Sequence, residues 1–362
     1  MENAILFDVL IVYTHSNAIS AMSKLASTPF RGLSSRAHYN NAYAYFLEMC
    51  AQNNLSAAFT TTRDLLPGKV FKAYWVYRNS KWSKVNKKCR SRLVFDKFSS
   101  NRDYLFLNSQ IKSFTSPTLF SVFFDKQKTY QYLKDFTVPT VPLLSTDKLA
   151  IQKALMTLKM LIALHPNNSD FASEIIVKDR FGAGGNKIYV IGKVRQCSEI
   201  LKILNQHRNT SFIIQPFTKF ENGFKYKNYN GFIDIRLIYL KNKVIQAYIR
   251  VAKPKDFRCN EHQGGILEYI PLADIPKKVL GFSKQIVDLL DEKSTLYALD
   301  FVISDNANVY LMEGNNCPGI DWNLSLRKNE QMAKKLIRLI IIELALRVRR
   351  SEKDVILPQV IL

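Results

Sequence analysis

The sequence predicts a chain of the α/β and α+β classes, with an N-terminal α/β domain followed by two lobes built on antiparallel sheets. Three observations carry that expectation. In residues 8–60 an apolar run (8–13), a segment of helical spacing (36–50) and a second apolar run (56–60) follow in order, as a small α/β unit requires. Residues 174–191, EIIVKDRFGAGGNKIYVI, read as strand, glycine loop, strand. Residues 232–239 and 243–251 alternate apolar and polar side chains on either side of Lys241-Asn242, a hairpin signature. At 362 residues the chain is long enough for two or three packed units.

Composition narrows the function classes. With 47% apolar residues and only 13 Gly and 12 Pro, the chain folds and is not globally disordered. The formal charge of +22 calls for an anionic partner, whether nucleotide, acidic peptide, nucleic acid or anionic membrane. Cys50, Cys89, Cys197, Cys259 and Cys317 form no C-x-x-C and no zinc-type spacing, which favours a reducing, cytoplasmic setting. The first residues, MENAILFDVLIVYT, read as a strand and not a signal peptide. The apolar segment 336–348 is interrupted by Arg338, Glu343 and Arg347 and is too short to span a bilayer.

Along the chain, residues 78–92, RNSKWSKVNKKCRSR, open on Arg78 and close on Arg92 with seven basic residues and no acid, near Trp75, Tyr77 and Trp82. Such a run either binds nucleic acid or an acidic peptide or is a solvated loop. Asp125 can cap a helix that Val138-Pro139 and Pro142 end. Residues 146–164 form an amphipathic helix through Leu149, Ile151, Leu155, Leu158 and Ile162. A helix near 199–205, a strand at 211–215 closed by Pro216, and a polar loop at 219–231 follow. A helix over 277–291 precedes strands at 297–303 and 309–313.

The chemistry-bearing residues fall inside this pattern. Gly182, Gly184 and Gly185 let backbone N–H groups fold over phosphate oxygens, with Lys178 just before them as a point charge. The alternative is a glycine-rich hairpin turn. Neither the P-loop nor the dinucleotide spacing is present. Asp234 and Arg236 share a strand face, and Arg250 and Arg258 are placed on neighbouring strand ends. Converging guanidiniums suit a carboxylate or a transferring phosphoryl group. Asp300, Glu313 and Asn315 supply hard oxygen donors of the kind that hold Mg²⁺. Cys259 and Cys317 read as packing residues, and His262 as a hydrogen-bonding residue rather than a metal ligand.

Taken in order, DK (125–126), VKDRFGAGGNKIYV (177–190), IIQPF (213–217), DIR (234–236), R-x-A-x(3)-DFR-x-N-x-H-x-GG (250–265), ALDF (298–301) and MEGNNCPG (312–319) resemble the ATP-grasp superfamily. The pattern is most similar to the glutamate ligases that extend ribosomal-protein tails, with glutathione synthetase more distant. The resemblance spans about residues 120–347. It implies a pre-ATP-grasp α/β domain at 1–120, a lobe with a glycine-rich lid at 121–217, a second lobe with the metal site at 218–348, and a tail at 349–362. It implies further that Lys126 and Lys178 contact ATP phosphates and that residues 182–186 form the lid. Gln215 and Phe217 would face adenine, and Asp234 the ribose or phosphates. Arg236, Arg250, Arg258 and Asn260 would act on the acyl phosphate and acceptor. Asp300, Glu313 and Asn315 would hold Mg²⁺ or Mn²⁺. Pro216 departs from the pattern, standing where many relatives carry an acid.

The implied reaction joins a carboxylate to an amine, amino acid or peptide through an acyl phosphate and releases ADP and phosphate. An acidic donor such as glutamate fits the charge. The alternative is an inactive ATP-grasp scaffold that holds nucleic acid or an acidic peptide on its basic surface. A full set of three oxygen donors argues against that alternative, and nucleic acid is the less favoured partner.

Overall fold

A computed structural model describes residues 4–16, 18, 26–32, 34, 36–98, 112–292, 295–322 and 327–356. They form two compact units, one from residues 1–117 with 317–362 and the other from residues 118–316.

The first unit is built on β1 (Ile5–Tyr13), whose residues Val9, Leu10, Ile11 and Val12 are fully buried. A strand covered on both faces has no polar side to alternate with, which explains its continuous apolar run. It pairs in parallel with β2 (Ala57–Thr61) on one side and β7 (Cys89–Lys97) on the other. The helix α1 (Tyr39–Gln52) makes the crossover from β1 to β2 and buries Tyr43, Phe46, Leu47 and Cys50. With the short β3 (Leu65–Leu66) and β4 (Val70–Phe71), and β5 (Tyr74–Arg78) and β6 (Lys81–Val85), the described strands lie in the order β3-β4-β7-β1-β2-β5-β6.

Two expectations change here. Residues 78–92 are not a loop, because the β5–β6 hairpin and the start of β7 occupy them. Asn79 and Ser80 both take positive φ (49° and 57°), as a tight two-residue hairpin turn requires. Trp75 and Trp82 are buried in this unit and offer no stacking surface, while Arg78, Lys81, Lys87, Lys88 and Arg90 are exposed. Residues 317–348, placed by sequence in the second lobe, belong to the first unit. Cys317 donates to the Asp96 carbonyl (3.2 Å) and Lys97 to the Pro318 carbonyl (2.8 Å). The last helix of the chain, continuous through the tail boundary expected at 349, packs on α1 and β7 and buries Leu336, Ile337, Ile340, Ile341 and Leu344.

The second unit holds two antiparallel sheets. One has the order β10-β9-β11-β8, from β8 (Val141–Leu143), β9 (Phe171–Asp179), β10 (Ile188–Ile191) and β11 (Phe212–Thr218). Two short helices precede it, α2 (Pro117–Phe124) and α3 (Lys126–Tyr132). Its core joins α4 (Lys148–Ala163) and α5 (Gln196–Gln206) to the sheet through Ile151, Leu158, Val177, Ile200, Phe212 and Ile214. β11 runs through Pro216 instead of ending there. β8 pairs only as far as Ile214, so at Pro216 β11 has a ladder partner on one side alone, and its register with β9 slips just beyond.

The other sheet has the order β14-β13-β12-β15-β16, from β12 (Ile233–Leu240), β13 (Lys243–Val251), β14 (Ile266–Ile270), β15 (Leu296–Ile303) and β16 (Val309–Asn315). The expected hairpin is present, with Lys241 and Asn242 at φ 54° and 57°. The helix α6 (Lys277–Leu290) packs Val279, Ile286 and Val287 into a core with Ile235, Leu237, Leu299 and Phe301. Along the final helix pair of the chain order, α7 (Arg327–Ile356) returns to the first unit.

A buried carboxylate ties the two sheets of this unit together. Asp170, at the root of β9, is fully buried and accepts hydrogen bonds from Asn306 (2.7 Å), Asn308 (2.9 Å) and Tyr310 (2.6 Å) at the β15–β16 turn. Burial pushes its pKa up, but Tyr310, Asn308, Asn306 and Ser304 outweigh burial and hold it below the ordinary value. Asp170→Ala leaves buried donors unpartnered, so a loss of about 2–4 kcal/mol is expected in urea unfolding. Because the folded pKa is depressed, the carboxylate stabilises fully above about pH 4 and loses that effect as pH falls further. The deficit of the variant should therefore shrink in acid, and an unchanged urea midpoint at pH 7 would refute the assignment.

Candidate active site

Two lysines of the second unit lie close enough to repel each other, and one of them lines a cleft. Lys178 lies near the end of β9, only 7% exposed, opposite Ile188 and Ile213. Lys126 opens α3, whose N-cap Asp125 accepts from the Gln127 N–H (3.0 Å) and also grips Arg180 through two 2.6 Å bonds. Asp125 thus starts the helix and anchors the glycine loop that follows Arg180. Lys126 is 3.2 Å from Glu313 and donates to the Gly182 carbonyl. Burial and the charge of Lys126 lower the pKa of Lys178, against the pull of Glu313, to about 8.

A small cleft adjoins Lys126. Lys126, Gln215 and Glu313 line it together with Thr129, Tyr130, Thr137, Thr140, Leu311 and Met312. Gln215 is oriented by a 2.7 Å bond to the Thr140 hydroxyl. The threonines carried no motif of their own in the sequence. Phe217 does not line the cleft. The ladder slips between Pro216 and Thr218, and its ring packs edge-on against Phe232 and Phe257 instead.

Behind the lysines is a buried ion network. Arg236 on β12 stands opposite Asp300 on β15, and Asp234 opposite Arg250 on β13. Arg236 grips Asp300 with two bonds, and Arg250 grips Asp234 with two more (2.8 and 2.6 Å) while reaching Asp300 at 2.8 Å. Tyr248 accepts from Arg236 at 3.2 Å. Burial raises the pKa of Asp300, and the two guanidiniums outweigh it and hold the group ionised. The expected shared face of Asp234 and Arg236 is therefore present. Asp234 is bound to Arg250, and both oxygens of Asp300 accept from guanidiniums.

Glu313 pairs directly with Asp300 because β16 carries an extra residue, Met312, at a bulge where the partner of Phe301 becomes Leu311. Gly314 is required next to it, since a Cβ there would lie 2.2 Å from the Phe123 ring. Asn315, two residues on, is half-buried like Glu313. Among the described residues no three of His, Cys, Asp and Glu cluster as a metal site. Glu313 and Asn315 offer a carboxylate and an amide oxygen, the donor types a hard cation takes, while both oxygens of Asp300 across the ladder are engaged by guanidiniums.

Arg258 is not on a strand end beside Arg236 and Arg250. It lies in the loop between β13 and β14, where it binds Asp256 (3.0 and 2.9 Å) and lowers that carboxyl to about 2. From this loop Arg258 and Asn260 approach the glycine loop: Arg258 is 3.5 Å from the Gly185 carbonyl. Burial raises the pKa of the Cys259 thiol, which suits packing and not nucleophilic chemistry.

This pairing of antiparallel sheets is shared with solved ATP-grasp enzymes. The chain superposes on D-alanine–D-alanine ligase from Bacillus anthracis in complex with ATP with a TM-score of 0.56 and 15% identity, covering 96% of this chain and 100% of that one. It superposes on the D-cycloserine synthetase DcsG with a TM-score of 0.56 and 13% identity, covering 93% and 99%. The fold is thus that of the ATP-grasp class. More narrowly, residues 125–340 match the RimK-like ATP-grasp domain, and the chain belongs to that family. It is 26% identical over 167 residues to a probable alpha-L-glutamate ligase 2 of Hahella chejuensis, covering 46% of this chain and 49% of the relative. It is 28% identical over 175 residues to the tetrahydromethanopterin:alpha-L-glutamate ligase of Methanocaldococcus jannaschii, covering 48% and 55%. The chain spans about half the length of these curated relatives.

Removing one member of the ion network leaves a buried charge without its counterion. Asp234→Ala should cost about 3–5 kcal/mol of unfolding free energy. A loss under about 1 kcal/mol in the same urea experiment would mean that Arg250 is held by other groups.

Proposed function

We propose that this chain is an ATP-dependent carboxylate–amine ligase that forms an amide bond through an acyl phosphate. The observation that carries this reading is the meeting of Lys126 and Glu313 in one cleft, with Lys178 close enough to feel both charges and Glu313 opposite Asp300 of the Arg236–Arg250 network, in a member of the RimK-like ATP-grasp family. Lys126 and Lys178 neutralise phosphate oxygens, Gly182, Gly184 and Gly185 cover them, and Gln215 faces the base from the cleft wall. Glu313 and Asn315, with Asp300 opposite, are the residues that would hold Mg²⁺ or Mn²⁺, which supplies charge neutralisation on the phosphates when bound.

In the first step a carboxylate oxygen takes the γ-phosphoryl group as its bond to ADP breaks. An amine then attacks the acyl carbon, the C–O bond to phosphate breaks, and the nitrogen loses a proton. Arg236 and Arg250, which keep their charge at any accessible pH, stabilise the oxyanion and the departing phosphate. The names of the relatives and the +22 charge support glutamate, or another acidic amino acid, as a substrate. The exposed cations of residues 78–92 support an acidic peptide as acceptor, and the burial of Trp75 and Trp82 disfavours nucleic acid there. No described helix is long and apolar enough to cross a membrane.

The test is ADP release and product mass spectrometry with ATP, Mg²⁺, mixed amino acids and acidic peptides. Amide product with equimolar ADP is expected, and a protein that binds ATP without turnover would be a scaffold. Glu313→Gln should lower turnover at least about 100-fold while the fold persists. Asp300→Asn is the poorer probe, because it also disturbs the ion network. Lys178 sets the alkaline limb of the pH profile. It is charged below about pH 8 and neutral above, so kcat/KM for ATP should fall as pH rises past 8. In Lys178→Met that limb should vanish, and its persistence would move the titration to another group.

A further inference from the structure

The glycine loop is held at both ends by different parts of the site. At its root, Asp125 binds Arg180 and Lys126 donates to the Gly182 carbonyl. At its tip, the Gln263 amide donates to the Gly184 carbonyl (3.1 Å) and to the Asn186 side-chain oxygen (3.3 Å). The fit is close. Gly185 has φ +73°, and a Cβ there would lie 2.7 Å from the Asn260 oxygen and 2.9 Å from Gln263 Cγ. The tip therefore docks on the loop that also carries Arg258 and Asn260.

We infer that Gln263 is a positioning residue that fastens the lid tip to the substrate loop, so that the lid closes when that loop is in place. The inference rests on the ligase reading for its chemistry. With the tip docked, the γ-phosphoryl group meets a carboxylate oxygen and ADP leaves. With the tip open, a water oxygen takes the phosphoryl group instead, giving ADP, phosphate and a proton, and no amide. Two hydrogen bonds from one amide link substrate-loop order to water exclusion, a coupling of the kind linkage requires to act in both directions. Gln263 touches neither the cleft nor the ion network, so its loss leaves the ATP-binding side chains in place.

Gln263→Glu keeps the size of the side chain and replaces its donor with an oxygen facing two acceptors. Gln263→Ala removes the contact. Two readouts are needed: the ratio of ADP to amide formed, and hydrogen exchange of residues 181–187 in the protein alone. In both variants ADP should exceed amide by about fivefold or more, against a ratio near one in the parent, with the KM for ATP within about twofold. Exchange in 181–187 should quicken while β11 is unchanged. Unchanged exchange, or an unchanged ratio in an active enzyme, overturns the inference. A parent protein that turns over no carboxylate sinks the ligase reading, and the exchange experiment then still decides whether Gln263 holds the lid.

Discussion

The second unit depends on a neutral, buried quartet, Asp234, Arg250, Asp300 and Arg236, laid across three adjacent strands. Four ions out of water would cost far more than the fold could supply if any stood alone. Here the ladder itself sets the pairs, because Arg236 faces Asp300 and Asp234 faces Arg250 by strand register. A shift of one residue in either pairing would turn an ion of the quartet to the opposite face. The quartet therefore fixes register as much as register fixes the quartet. Its two cations are held in place beside the cleft without side-chain entropy left to lose, which is what a site acting on developing negative charge needs.

The lysine side of the cleft is built on the opposite principle. Lys126 and Lys178 share Glu313 as the nearby acid, and burial with mutual repulsion has already lowered Lys178 to about 8. One region is electrically satisfied and the other is short of negative charge. A polyanion relieves the second without disturbing the first. The bulge at Met312 joins the two regions, since it sets Glu313 opposite Asp300 while its side chain still reaches Lys126. A straight β16 would have placed Met312 there.

Much of this was legible in the sequence where the signal is local. Alternation in DIR put Asp234 and Arg236 on one face, Lys241-Asn242 marked the hairpin, and strand–glycine–strand order located Lys178 and the glycine loop between β9 and β10. What was not legible depends on long-range register. Arg236 and Asp300 are 64 residues apart, and no spacing rule says that the carboxylate of ALDF meets that guanidinium. The basic run at 78–92 left a solvated loop open as a reading because its exposed lysines conceal a strand, β6, whose inward member is Trp82. Phe217 followed the expected period of two until a slip in the ladder after Pro216 removed it from the cleft wall. The last helix is apolar enough to pack anywhere, and only its partners α1 and β7 decide which unit it completes.

Charge ties these parts to recognition. Among the described residues the buried acids (Asp96, Asp125, Asp170, Asp234, Asp300, Glu343) outnumber the buried bases (Lys97, Lys178, Arg236, Arg250). The surplus of +22 is accordingly a property of the surface and not of the core. Surface charge acts over about a Debye length, roughly 8–10 Å at moderate salt, so it raises encounter with anions without choosing among them. Selection must come from short-range geometry: the paired lysines, the guanidiniums already locked by their aspartates, and a glycine loop whose tip is bonded by Gln263. Long-range attraction and local fit are thereby separated in this chain, the first spread over many exposed cations and the second concentrated in residues that strand register holds still.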